Sequence, residues 1–142
     1  MARTFHTIWC DDVRMELGNK MSLMGVYSSE LLVPTFPFVL QKLCLSCKVR
    51  TDIKKPFKQL KIVVSKNDEV MAELDMTETL SEQDNVLIQK KDGAKYIDAQ
   101  TFIILGRLVI DKPAIFKVKA ITETGEIKGH GLRVELAQQN IV

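Results

Sequence analysis

Val13-Arg14-Met15-Glu16-Leu17-Gly18-Asn19-Lys20-Met21-Ser22-Leu23-Met24-Gly25 reads as two half-buried strands joined by a tight turn. Val13, Met15 and Leu17 fall on one face, and Asp12, Arg14 and Glu16 on the other, which is the period of two that a strand imposes on an amphipathic run. A loop of Gly18, Asn19 and Lys20 sets Leu17 opposite Met21, Met15 opposite Leu23 and Val13 opposite Gly25. A two-residue loop would turn the charged face toward Met21 and Leu23, so the longer loop is the expected register. The hairpin announces an antiparallel β-domain.

The same alternation recurs downstream. After the connection Pro34-Thr35-Phe36-Pro37, Leu43, Leu45, Cys47 and Val49 alternate with Cys44, Ser46, Lys48 and Arg50. A polar turn around Lys54-Lys55-Pro56 follows, then a second hairpin in which Leu60, Ile62 and Val64 meet Val70, Ala72 and Leu74 across Asn67-Asp68. Met76 to Asp84, with Thr77 or Thr79 as a cap, reads as a crossing loop with at most one short helical turn. Asp92-Gly93 marks a turn, and Thr101 to Ile110 reads as an apolar strand buried on both faces. In a third hairpin Phe116, Val118 and Ala120 reverse at Glu123-Thr124-Gly125 into Leu132, Val134 and Leu136. Ile127 opposite Ala120 and Leu132 opposite Phe116 differ in parity, so one strand must absorb an extra residue, and Gly129-His130-Gly131 is the expected bulge.

About seven or eight short strands separated by Gly, Asn and Asp turns predict an all-β fold, an antiparallel, immunoglobulin-like β-sandwich with a small closed barrel as the alternative. The chain has 142 residues, enough for one domain with one core. Twenty Lys and Arg stand against eighteen Asp and Glu, a formal charge of +2. The two signs are interspersed, which predicts solubility and argues against a nucleic-acid partner. The apolar run Phe102-Ile103-Ile104-Leu105 is far shorter than the ~20 residues a membrane helix needs. Met1-Ala2-Arg3-Thr4-Phe5-His6 has no following apolar segment, so no secretory signal is expected. Cys10, Cys44 and Cys47 are odd in number and lack framework spacing, so reduced thiols and a cytoplasmic location are expected.

Each candidate for chemistry has a simpler structural account. Cys44-Leu45-Ser46-Cys47 has redox or zinc spacing, but residues three apart in a strand face opposite ways, and four converging ligands are missing. His6 and His130 are too few for a histidine-built metal centre; His130, on the expected bulge, is the one to watch. Asp11 and Asp12 point to opposite faces, and Arg14 separates Asp12 from Glu16, which disfavours a cation site. Lys48, Arg50, Lys54, Lys55, Lys58 and Lys61, with Phe57 for stacking, form a basic stripe that solvated strand faces already explain. There is no nucleophile elbow, phosphate loop or triad, so neither catalysis nor a cofactor or metal is expected. Trp9 and Tyr27, near opposite ends of the first hairpin sequence, are residue types enriched at interfaces, although core packing is the commoner fate of Trp9. Met15 and Met21 fit the core face, while Met24 and Met71 fall on solvent faces. The expected interaction surface comprises Trp9, Arg14, Met24, Tyr27 and His130.

The run Cys10-Asp11-Asp12-Val13-Arg14-Met15-Glu16-Leu17-Gly18-Asn19-Lys20-Met21-Ser22-Leu23-Met24-Gly25-Val26-Tyr27, followed by Pro37, Leu43 and Lys55-Pro56-Phe57, resembles a family of small uncharacterised proteins from bacteria and their phages. That family is catalogued only as a domain of unknown function. The resemblance implies a compact β-sandwich and brings no catalytic residues. The expected function is a non-enzymatic structural, assembly or protein-interaction module with a protein partner or homo-oligomer. Its settings would be the host cytoplasm or a phage particle, there as a minor or decoration component. The alternative is a cytoplasmic domain that binds a small ligand or anion, using the end near His130 and the Lys54-Lys55 turn.

Overall fold

The computed structural model describes residues 2–78, 88–89, 93 and 95–138. Its strands are β1 (Thr4–Glu16), β2 (Lys20–Val26), β3 (Glu30–Val33), β4 (Phe38–Leu40), β5 (Leu43–Asp52), β6 (Leu60–Lys66), β7 (Glu69–Asp75), β8 (Ile88–Gln89), β9 (Tyr96–Leu105), β10 (Leu108–Ile110), β11 (Ala114–Thr122), β12 (Gly125–Lys128) and β13 (Leu132–Leu136). No helix occurs among the described residues. The all-β expectation therefore holds, but the thirteen strands among the described residues exceed the expected seven or eight. Thr77 and Glu78 lie in a turn, while the rest of the expected helical turn, from residue 79 on, and Asp92 lie outside the described residues.

A five-stranded sheet, the front sheet, runs β2-β1-β5-β9-β8, and a six-stranded back sheet runs β3-β13-β11-β6-β7 with β12 also on β11. A small pair, β10-β4, stands apart. All pairings are antiparallel except β3 on β13, a parallel pair that the sequence reading did not foresee. Phe5, Trp9, Leu43, Leu45, Cys47, Val49 and Ala99 from the front sheet share one buried cluster with Val33, Leu60, Ile62, Val64, Phe116, Val118, Leu132 and Val134 from the back sheet. Apolar residues at every second position give β1, β5, β6, β11 and β13 one face that this core can accept.

The turns explain the registers. Asn67 and Asp68 close the β6–β7 hairpin as expected, both with positive φ, the conformation that matches the twist of two-residue hairpins. In the first hairpin Met15 pairs with Met21, Val13 with Leu23 and Glu16 with Lys20, two residues away from the expected register. Gly18 and Asn19 take left-handed conformations, so the loop is Leu17-Gly18-Asn19 and Leu17 stands exposed at the tip. The slip preserves apolar parity and sets opposite charges, Glu16 and Lys20, across the strands. The expected strand buried on both faces is also corrected. β9 ends at Leu105, and Gly106-Arg107 separates it from β10. Within β9, Ala99 and Thr101 are buried whereas Ile104 is half exposed, because only one face of β9 meets the core.

The bulge falls where parity required it. Ala120 pairs with Ile127 in one register and Phe116 with Leu132 in another, offset by one residue across Gly129-His130-Gly131. Here the back sheet's backbone meets the front sheet. The His130 carbonyl accepts from the Trp9 indole at 2.8 Å and the Thr7 hydroxyl at 3.2 Å, and the His130 amide donates to Thr7 Oγ1 at 2.8 Å. Close approach dictates both glycines: a Cβ on residue 129 would lie 2.6 Å from Thr7 Cγ2, and one on residue 131 would lie 2.6 Å from the Phe116 carbonyl oxygen. Gly131→Ala is therefore expected to destabilise, because rigid backbone blocks its methyl. Trp9→Phe should cost about 1–3 kcal/mol through the lost donor and the smaller ring. Urea unfolding measures both, and wild-type stability in Gly131→Ala would contradict the packing described.

Candidate functional site

The outer face of the front sheet is shaped by the first hairpin. Gln100, on β9, sits at the level of His6 through Lys48 of β5. Met21 pairs with Met15, nine residues beyond His6 on β1, a run of roughly 30 Å if extended. Yet Met21 Sδ lies 4.0 Å from Gln100 Nε2. The hairpin must therefore turn back over the sheet's outer face. The turn begins at Asp11-Asp12, where the Asp12 carboxylate accepts from the Val13 amide and from Lys42, and the Cys44 thiol reaches the Asp11 carbonyl at 3.6 Å.

Cys10 and Cys44 are buried against this segment, their thiols on the Asp12 and Asp11 carbonyls, and Ser46 is buried too, although alternation assigned Cys44 and Ser46 to a solvent face. Cys10 and Cys44 are direct cross-strand partners, while Cys47 points into the core, so the CxxC pair diverges. All three thiols are free. Burial pushes the Cys47 thiol up to about 12, and desolvation raises Cys10 and Cys44 as well.

Four of the five residues expected at an interaction surface belong to this hairpin or its base. Trp9 does not contribute its side chain: it is 3% exposed and packs on Phe116 with ring centroids 5.8 Å apart, since only the core offers its indole both an aromatic neighbour and the His130 carbonyl. Pairing brings Tyr27 to the same end as Trp9, with its amide on the Trp9 carbonyl at 2.9 Å. The Tyr27 hydroxyl donates to Asp11, and burial with that carboxylate raises its pKa. Arg14 is exposed, 3.7 Å from Glu16, and Met24 is 43% exposed opposite Asp12. His130 has an exposed side chain and acts through its backbone. The sequence reading missed Ile8, Val26 and Ile104, which lie exposed on or beside the outer face near Cys10 and Cys44. Ile8 shares the parity of His6, so an apolar residue on a polar face was the available signal.

The basic stripe is broken up. The Arg50 guanidinium holds Asp98 in a bidentate pair at 2.7 and 2.9 Å, which keeps that carboxyl below its ordinary range, and Lys48 approaches the same group. Lys61 pairs with Glu73. Phe57 is buried under the Arg3 guanidinium, 4.6 Å from the ring centre. Lys54, Lys55 and Lys58 instead line a cleft of about 590 Å³ with Arg3, Glu123 and Thr124. Arg3 binds Thr51 Oγ1 at 2.9 Å, the Lys55 carbonyl at 3.1 Å and the Glu123 carboxylate, so the N-terminus, the 53–59 loop and the β11–β12 turn are fastened together. Burial works to raise the Glu123 carboxyl, but the Lys58 and Gln59 amides and Arg3 outweigh it and lower it. His130 does not line this cleft, so the two halves of the expected anion-binding end are separate. No group of three metal-ligating side chains occurs among the described residues.

These features define an all-β protein whose sheets enclose one core and whose accessible features include exposed apolar residues on the otherwise polar outer face of the front sheet and a lysine-lined cleft. The chain belongs to DUF6941, a family of unknown function, whose model matches residues 6–135. No curated protein matches the chain. No described helix is long and apolar enough to cross a membrane.

Two outcomes test the site geometry. Because the folded-state Glu123 carboxyl is depressed, its contribution is present above the ordinary carboxylate range and is lost as pH falls through and below about 4. Glu123→Gln should therefore lower the melting midpoint at neutral pH, and the gap to wild type should close in acid; a pH-independent gap would contradict the ion pair. A thiol-specific disulfide reagent at about pH 8 should titrate no cysteine in the native protein and all three in denaturant.

Proposed function

We propose that this protein is a non-enzymatic interaction module, a β-sandwich that docks a protein partner on the outer face of its front sheet. Exposed Ile8, Val26 and Ile104, with Met24 on the returning hairpin, carry this reading. Ile104 and Val26 stand at the level of the Cys44–Cys10 pair and Ile8 two residues from it, with the charged Lys42, Asp12 and Arg14 on the adjoining segments, and exposed apolar residues beside charged ones suit a protein interface. β2 is the outer strand of the same sheet, so main-chain groups lie beside the apolar residues for a partner strand to meet. A cytoplasmic assembly or the surface of a phage particle, where a minor or decoration component sits, is the kind of setting such a module serves.

Light scattering on protein isolated from its natural source, without overexpression, tests the proposal. The native species should exceed the 16.1 kDa chain mass. Ile104→Lys should reduce it to the single chain with an unchanged melting midpoint, because Ile104 is half exposed and outside the core. A wild-type species that is only the 16.1 kDa monomer, with no companion, would overturn the reading.

A further inference from the structure

We propose that the cleft between the 53–59 loop and the β11–β12 turn binds a small polyanion of the phosphate-ester class. The lining carries Arg3, Lys54, Lys55 and Lys58 against two carboxylates, Glu123 and Glu126. Both carboxylates are already matched, Glu123 by Arg3 and Glu126 by Lys119 at 3.1 Å. The three lysines have no carboxylate partner among the described residues. Three lysines lining one concave surface concentrate positive charge there, and a multiply charged anion offsets that charge while accepting hydrogen bonds from ammonium groups that reach it.

The cleft is held in shape before any ligand arrives. Arg3 directs its donors to Thr51, Glu123, Thr124 and the carbonyls of Lys55 and Pro56, so it braces the loop instead of serving as a ligand group. The Lys54 amide is fixed on the Asp52 carboxylate and the Lys55 amide on the Asp52 carbonyl, each at 2.9 Å. A lysine-bearing loop fixed in this way loses little conformational freedom on binding. The volume, about 590 Å³, falls within the range of small-molecule sites, and Pro56 and Ile127 provide apolar wall for an organic moiety.

Two alternatives on the same molecule are weaker. The groove on the outer face of the back sheet, about 550 Å³, contains four lysines, but Lys61, Lys117 and Lys119 are each paired with a carboxylate, which leaves Lys128 alone to meet an anion. A nucleic-acid strand would need an open aromatic surface beside the lysines, and Phe57 is covered by Arg3.

Isothermal titration calorimetry of the full chain with inorganic tripolyphosphate and with ADP, at low and physiological salt, tests the proposal. Saturable binding of tripolyphosphate that weakens with salt is expected. The double variant Lys54→Gln, Lys58→Gln should weaken it at least about tenfold at an unchanged melting midpoint, since each lysine offers a charge-assisted hydrogen bond. Lys112→Gln, an exposed lysine outside the cleft lining, should leave it unchanged. Equal affinity for both probes supports recognition of the phosphate chain, and tighter ADP supports an added contact with the apolar wall. Binding of neither probe, equal loss in the Lys112 variant, or a single-stranded oligonucleotide bound more tightly than tripolyphosphate would overturn it.

Discussion

One hydrogen bond from the Trp9 indole to the His130 carbonyl joins the two large sheets at the point where the back sheet breaks its own register. A buried indole N–H needs an acceptor, and a bulge is where a strand carbonyl can leave its ladder to become one. The arrangement works only with glycine on both sides of His130, because a side chain at either position would enter space held by Thr7 or the Phe116 backbone. Thr7 completes the contact by donating to the carbonyl and accepting from the amide of the same residue. Polar satisfaction, bulge geometry and core packing thus converge on three consecutive residues, and the spacing of the sheets follows from them.

Once Trp9 is anchored inward, the course of β1 beyond it is constrained. Cys10 remains paired with Cys44, the chain bends at Asp11-Asp12, and the hairpin returns over the sheet far enough for Met21 to reach Gln100. This second layer explains why two cysteines and a serine on a nominally solvent face are buried, and why Val13, Met21 and Leu23 are only partly so. It covers part of the outer face and leaves Ile8, Val26 and Ile104 beside its edge. The proposed docking surface is the uncovered remainder of that face. The lysine cleft has a different origin, since Arg3 and Glu123 gather three lysines without a carboxylate partner among the described residues where strand ends and turns meet.

Much of the fold was legible in local chemistry. The bulge could be located from parity alone, because Ile127 and Leu132 cannot both face the core on a regular strand. The Asn67-Asp68 hairpin followed from residues that tolerate positive φ. The first hairpin kept its apolar parity but slipped by two residues, because parity is blind to shifts of two and turn conformation made the choice. What was illegible depends on contacts distant in sequence. Nothing near Cys44 announces that a hairpin more than twenty residues earlier will lie over it, and nothing near Lys54 announces Arg3. Of the five expected surface residues, Arg14 and Met24 are exposed and Tyr27 is tied to Asp11. Trp9 and His130 meet at the inter-sheet joint, for which their sequence positions gave no sign.

The chain has a single tryptophan, so its indole proton gives one resolvable resonance. Hydrogen exchange at that proton is the most direct test of the joint between the sheets. If the Trp9–His130 bond is as described, the proton exchanges only with global unfolding, at the rate of the slowest core amides of β5 and β11. Exchange within minutes while those amides stay protected would show that the sheets are not joined there, and the account of the hairpin and the outer face would fail with it.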